Sequence, residues 1–258
     1  MSLFLLTRQN GLEGRYATMT KKLLMNNYPQ STGGVVTKGL YIWLDGQDVV
    51  TNTDTFLNNR IDQSYGAYIP HAGIYWLINR VWKYKNYIGY YNEAHHIDKC
   101  TVTDEFTLQI SYKTFELKGN KVLGIFGPHD DASWNDLNIA IFNKKLRLLM
   151  KTVVSDSKEI FTDSMSIDNL AITINNQQKK ISLYINGEFK TEVFYRADID
   201  SFFNVSRKWR FQSTRAFQPN FEDIATWRIG SVLMYHRILT EEEIKQNYLY
   251  EQSIERGE

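Results

Sequence analysis

Residues 170–193 constrain the fold more than any other stretch of the chain. Leu170, Ile172 and Ile174 alternate with other residues, a polar stretch from Asn175 to Lys180 follows, and Ile181, Leu183 and Ile185 resume the pattern. Asn186-Gly187 then leads into Phe189, Thr191 and Val193. A period of two brings side chains to one face of a strand. Asn-Gly suits a two-residue type I′ turn, whose central residues both need positive φ: Asn tolerates it, and Gly adopts it freely. Three consecutive antiparallel strands are predicted.

The same period recurs elsewhere. Phe106, Leu108, Ile110 and Tyr112 alternate with Thr107, Gln109, Ser111 and Lys113, which reads as a half-buried strand. Leu137, Ile139 and Ile141, a turn at Asn143-Lys144, and Leu146, Leu148 and Met150 read as a hairpin. One helix is predicted in the body of the chain, directly after a strand from Trp227 to Tyr235. Thr240-Glu241-Glu242-Glu243 forms a capping box, Leu239 can staple onto Ile244, and three acids suit the positive end of the helix, which should run to about Tyr250. No repeat of 20 to 50 residues is visible. Many short strands with helix confined to the ends predict an all-β fold of two packed antiparallel sheets.

With 258 residues and 43% hydrophobic content, one core can form without disulfides or metal. The expected organisation is a single large domain over residues 37–258 after an N-terminal arm, residues 1–36, which is rich in turn residues such as Gly11, Gly14, Pro29 and Gly33-Gly34. Within the arm, Leu12, Tyr16, Met19 and Leu23 fall on one helical face. That helix either packs on its own domain or docks, letting copies form a homo-oligomer through residues 12–24.

Thirty Lys and Arg against 29 Asp and Glu leave a net charge of +1, which provides no broad field for a phosphate backbone and argues against nucleic acid as a partner. Cys100, the chain's one cysteine, reads as a buried, inert thiol, so the fold does not depend on an oxidising compartment. The apolar run within Met1–Leu6 is too short for a signal peptide or a membrane span, and the chain reads as soluble.

Three segments resemble the laminin G-like domains of the concanavalin A-like lectin and glucanase superfamily. Ala171-Ile172-Thr173 followed by Leu183-Tyr184-Ile185-Asn186-Gly187-Glu188 is similar to that family's central hairpin. Ile229-Gly230-Ser231-Val232-Leu233-Met234-Tyr235-His236-Arg237-Ile238-Leu239-Thr240-Glu241-Glu242-Glu243-Ile244 resembles its closing signature, and Gly39-Leu40-Tyr41-Ile42-Trp43-Leu44-Asp45-Gly46 its opening strand. Residues 60–105 depart from the family pattern. The resemblance implies a jelly-roll sandwich of two curved sheets, used to bind carbohydrate or protein, and found in bacterial surface proteins and in bacteriophage tail and virion proteins.

Catalysis is not expected. A retaining glucanase needs two carboxyl groups about 5 Å apart, set as Glu-x-Asp-x-x-Glu along one strand in this superfamily, and no such stretch exists here. Asp104-Glu105 and Glu241-Glu242-Glu243 are explained by a strand boundary and a helix cap. Cys100 has no cysteine partner, and His95-His96, being adjacent, fall on opposite sides of a strand, which argues against zinc. P-loop, dinucleotide and nucleophile-elbow patterns are absent. No cofactor is required. Calcium has candidate ligands in Asp130, Asp131 and Asp136, beside His129 and Asn135, with a solvated loop as the plain alternative.

The densest feature is aromatic. Tyr65, Tyr68, Tyr75, Trp76, Trp82, Tyr84, Tyr87, Tyr90 and Tyr91 crowd one segment of a chain that is 14% aromatic overall. Flat rings with polar edges suit sugar faces, and Asn92 nearby can bond hydroxyls. Trp134 and Asn135 offer a second contact in the Asp-rich loop. Core packing and a protein interface compete for the same rings. The expected function is therefore a non-catalytic recognition module, binding a cell-surface polysaccharide within a phage tail or bacterial surface assembly. The alternative is a structural virion or assembly protein; a glycoside hydrolase is disfavoured.

Overall fold

The computed structural model describes residues 34–48, 56–64, 66–68, 82–84, 87–89, 95–116, 122–128, 137–142, 145–150, 159–163, 169–195, 203–213 and 226–254. The chain divides into two units, Met1–Val35 and Val36–Glu258, and both sheets belong to the second. The proposed arm helix and its oligomerising face at residues 12–24 lie outside the described residues.

Two eight-stranded sheets are formed among the described residues. The first runs β14 (Glu188–Phe194), β13 (Lys180–Ile185), β12 (Asn169–Asn175), β7 (Glu105–Glu116), β16 (Thr226–Tyr235). Along its other edge β16 takes β1 (Leu40–Asp45) beside one half, and beside the other half a hairpin of β5 (Tyr87–Gly89) and β4 (Trp82–Tyr84). The second sheet runs β11 (Glu159–Asp163), β10 (Lys145–Met150), β9 (Leu137–Phe142), β8 (Val122–Pro128), β15 (Ser206–Ser213), β6 (His95–Thr101), β3 (Gly66–Tyr68), β2 (Phe56–Asn58). The three predicted strands are β12, β13 and β14, paired antiparallel. Asn186 at φ +52° and Gly187 at φ +77° make the left-handed turn that Asn-Gly favours.

The apolar phase of each strand builds the core. Leu108 faces Ile172 and Met234 across β7, while Ile110 faces Leu170 and Val232, and all six side chains are buried. Ile42 and Leu44 on β1 and Ile181, Leu183 and Ile185 on β13 extend this face. Each such side chain contributes roughly 1.5–3 kcal/mol when taken from water. The second sheet supplies Ile97, Cys100 and Trp209, whose indole donates to the Cys100 carbonyl at 3.1 Å. Contacts cross between the sheets at Cys100: its sulfur lies 3.2 Å from the Tyr41 hydroxyl of β1 and 3.9 Å from the Met234 sulfur of β16.

One expectation is corrected. The strand around Phe106 is not half-buried, because residues 106–111 are buried on both faces. The cause is the C-terminal helix, α1 (Glu241–Ser253), which lies on the outer face of the first sheet. Its capping box forms as predicted: Thr240 Oγ1 accepts from Glu243 N at 3.3 Å, and Thr240 N donates to Glu243 Oε2 at 3.0 Å. Arg237 adds a bidentate pair to the same carboxylate, both bonds 2.7 Å.

α1 crosses the strands over one row of facing residues: Tyr184, Ala171, Gln109, Leu233 and Trp43 on five successive strands. Glu241 and Glu242 lie near enough to Tyr184 to help hold its phenol protonated, after burial as the larger cause. Midway, Gln109 Nε2 donates to the Ile244 carbonyl at 3.1 Å and Gln109 Oε1 accepts from Asn247 at 2.9 Å. At the far end Tyr250 sets its ring edge-on to Trp43, centroids 6.3 Å apart. The 186–187 turn also abuts the helix, where a Cβ on Gly187 would come within 3.0 Å of Tyr248 Cδ1.

Candidate functional site

The first sheet continues past α1, and the candidate site lies on that continuation. Two residues beyond the helix row, Asn169, Ser111, Ser231 and Asp45 form a second row across four strands, all buried. Asn169 Nδ2 donates to Ser111 Oγ at 2.9 Å. Asp45 ends β1, and its fully buried carboxylate pairs with Arg60 at 3.0 Å. Arg60 also reaches Asp48 with two nitrogens, Nε at 2.7 Å and NH2 at 3.2 Å, and lies 4.8 Å over the Trp43 ring. Burial opposes the charge on this guanidinium. The bond to Asp48 and the charges of Asp45 and Asp48 outweigh burial and raise its pKa.

Asn59 places Arg60. It is fully buried; its Oδ1 accepts from Trp43 N at 2.9 Å and its Nδ2 donates to the Tyr41 carbonyl at 2.9 Å, while Arg60 N donates to the Trp43 carbonyl. The segment after β2 is thereby stitched along β1, and the turn Gly46–Asp48 lies against β5 and β16.

The aromatic hairpin begins where β1 ends. Ser231 to Tyr235 of β16 pair with β1, whereas Arg228 and Ile229 pair with β5 on the same edge. In the β4–β5 ladder Trp82 faces Gly89 and Tyr84 faces Tyr87. Directly facing residues share a face, as do residues two apart on a strand, so Trp82, Tyr84 and Tyr87 occupy positions on one face of this ribbon. Gly89 faces Arg228, and Arg228 faces Lys113 of β7. Lys113 is in phase with Gln109 and Ser111, which assigns the aromatic positions to the outer face, the one that carries Trp43 and Asp45.

Three of the predicted aromatic residues are thus brought together. Tyr68 is not among them: it lies in β3 of the second sheet, facing Phe56 and His96. The run from 65 to 91 is therefore divided between the sheets. Trp76, Tyr90, Tyr91, Asn92, Trp134 and Asn135 lie outside the described residues, as do the calcium candidates Asp130, Asp131 and Asp136 with His129. Arg60, Lys113 and Arg228 were not predicted as site residues. Lys113 was visible as the polar phase of its strand, but nothing local pairs it with Arg228.

No protein-family model matches this chain, and no curated protein does. Solved structures do resemble it. One belongs to botulinum neurotoxin type C, whose uptake by cells depends on interaction with two ganglioside molecules (TM-score 0.59, 14% identity, 83% of this chain and 52% of that one). Another is the binding domain of botulinum neurotoxin DC in complex with rat synaptotagmin II (TM-score 0.58, 14% identity, 84% and 52%). A third is the Trypanosoma rangeli sialidase in complex with a difluorinated keto-deoxy-nononic acid (TM-score 0.60, 14% identity, 89% and 36%). The chain spans about half the length of the toxin structures and 36% of the sialidase. The likeness establishes the fold: an antiparallel β-sandwich closed by a short C-terminal helix.

Proposed function

We propose that this chain is a non-catalytic recognition module that binds carbohydrate, specifically a cell-surface polysaccharide, through the outer face of the β4–β5 hairpin. The observation that carries the reading is the placement of Trp82, Tyr84 and Tyr87 on one face of a ribbon at the end of the first sheet, with a glycine facing Trp82. Aromatic residues at positions on one face suit the C–H faces of successive sugars, and Tyr and Trp carry polar edges that can bond hydroxyls. Similarity in fold to a toxin that interacts with gangliosides and to a sialidase bound to a sugar analogue supports saccharide as the ligand class. The laminin G-like segments favour a bacteriophage tail or a bacterial surface assembly as the setting.

The non-catalytic reading draws support from two carboxylates at the end of β1 and in the turn that lies against β5. Asp45 and Asp48 are both committed to Arg60, which leaves that pair a structural part. The test is a titration of intrinsic tryptophan fluorescence with bacterial cell-wall polysaccharides, on the full chain and on Trp82→Ala. The expected result is a saturable shift that Trp82→Ala abolishes while far-ultraviolet circular dichroism is unchanged. A folded protein that shifts with no polysaccharide would overturn the reading in favour of a structural assembly role.

A further inference from the structure

We infer that the polysaccharide bound at this face is acidic, carrying carboxylate or sulfate groups, from the placement of Lys113 and Arg228 in one cross-strand row with Gly89 and Trp82. The inference rests on the carbohydrate reading and narrows its ligand. The row is fixed by register: Lys113 faces Arg228, Arg228 faces Gly89, and Gly89 faces Trp82. Like charges directly opposite on neighbouring strands repel and destabilise the pair. β7 and β16 share a ladder from Thr107 to Glu116 with irregularities at Thr226/Trp227 and Ile229/Ser231, and between these Trp227, Arg228 and Ile229 pair in step with Thr114, Lys113 and Tyr112. Two cationic residues at facing register positions, in one row with Trp82, supply the charge that an acidic saccharide seeks, and an Arg fork matches a carboxylate or sulfate.

Among the described residues, the charges in the two adjoining rows do not cancel the pair. In the next row Thr226 faces Glu116, one acid against two cations. In the preceding row Asp45 is held by Arg60 at 3.0 Å. α1 does not reach this far either. Lys113 is four residues beyond Gln109, about 13 Å along the strand, while a helix with its side chains extends about 5–6 Å from its axis. Adjacent strands are about 4.8 Å apart, so the Trp82 position is about 10 Å from that of Arg228 across Gly89, a span comparable to a disaccharide. A sugar bound at the Trp82 position would bring the acidic group of the next within reach of the Arg228 position.

The test pairs saccharides that differ only in charge: polygalacturonate against its methyl ester for carboxylate, and dextran sulfate against dextran for sulfate. Binding to the full chain is followed by calorimetry at low and physiological salt. The acidic form of at least one pair is expected to bind about tenfold or more tightly than its neutral counterpart. That preference should weaken with salt and should largely disappear in Arg228→Gln and Lys113→Gln. Lys190→Gln, on the far edge strand β14, should keep it. The charge-preserving Arg228→Lys supplies a folded comparison and should retain part of it. Equal binding of acidic and neutral forms, or a preference lost equally in Lys190→Gln, overturns the inference. If Trp82→Ala still abolishes neutral binding in that case, the carbohydrate reading survives; if no saccharide binds, both fall.

Discussion

Asn247 donates from its side-chain amide to Gln109 Oε1 at 2.9 Å, fastening α1 to the centre of the first sheet. The same amide donates to the Tyr235 hydroxyl at 3.0 Å, and its oxygen accepts from Val36 N at 2.8 Å. Tyr235 in turn donates to the Val36 carbonyl at 2.9 Å. Burial is nearly complete at Asn247, Gln109 and Tyr235, so every group left without its partner bears a desolvation cost. Asn247→Ala is expected to destabilise the fold by about 3 kcal/mol in urea unfolding, and Asn247→Asp by more, because it adds a buried charge. A loss under about 1 kcal/mol in Asn247→Ala would mean that apolar packing, not this network, seats the helix.

Arg60 is expected to be the costliest surface-proximal residue to replace. Its partner Asp45 has no exposed side-chain area, so Arg60→Met strands a buried carboxylate, at about 3–5 kcal/mol. Adding Asp45→Asn and Asp48→Asn to Arg60→Met should recover part of that loss, since the uncompensated charges go with it. Arg60→Lys should rescue poorly: an ammonium cannot make the two-nitrogen contact to Asp48 or stack flat over Trp43. The comparison needs four chemical denaturation curves, and a triple variant no better than Arg60→Met would show that the charge is not the cause.

Period-two alternation was enough to find β7, β9, β10, β12, β13 and β14, and the capping box was enough to find the start of α1, because both depend on residues close together in the chain. Local pattern could not reveal what covers the outer face. Thr107, Gln109 and Ser111 read as a solvated phase because they are polar, yet they are buried beneath a helix more than a hundred residues away in sequence, with their hydrogen bonds met inside the protein. The helix ends at Ser253 rather than near Tyr250, since the Tyr250 carbonyl still accepts from Ile254 N. For the site, the aromatic run named the hairpin residues. Its division between two sheets, and the meeting of Lys113 with Arg228, depend on long-range register that one sequence does not encode locally.

Glu243 makes the stability of the helix start sensitive to acid. Its bidentate bond to Arg237 is the main reason its carboxyl is held below the usual range, against an opposing contribution from burial. A carboxyl with a depressed folded pKa binds fewer protons folded than unfolded, so its contribution is full above the unfolded pKa and is lost as pH falls through the folded one. Glu243→Gln is therefore expected to cost about 1 kcal/mol at pH 7, where both the cap and the ion pair are intact. The variant and the parent should converge as the pH falls below the ordinary carboxylate range. Melting temperatures measured across that range test this, and a gap that persists unchanged into acid would assign the loss to packing.

Cys100 should make the fold labile in alkali. Burial between the sheets pushes its thiol up to about 12, partly offset by the Tyr41 hydroxyl bond, from an ordinary value of 9.0. Between those values the unfolded chain loses the proton and the folded chain keeps it, so the unfolded state binds fewer protons and stability falls as pH rises. Burial also raises the Tyr235 phenol above its ordinary range, which adds to the same slope at higher pH. Cys100→Ala is expected to flatten the lower part of this alkaline decline. Since the thiolate is the reactive form, the native protein should resist iodoacetamide at pH 8 and be alkylated only as fast as it opens. Denaturant should therefore accelerate labelling in step with the unfolded fraction. Rapid labelling of the native protein without denaturant would place the thiol in contact with solvent and overturn its burial between the sheets.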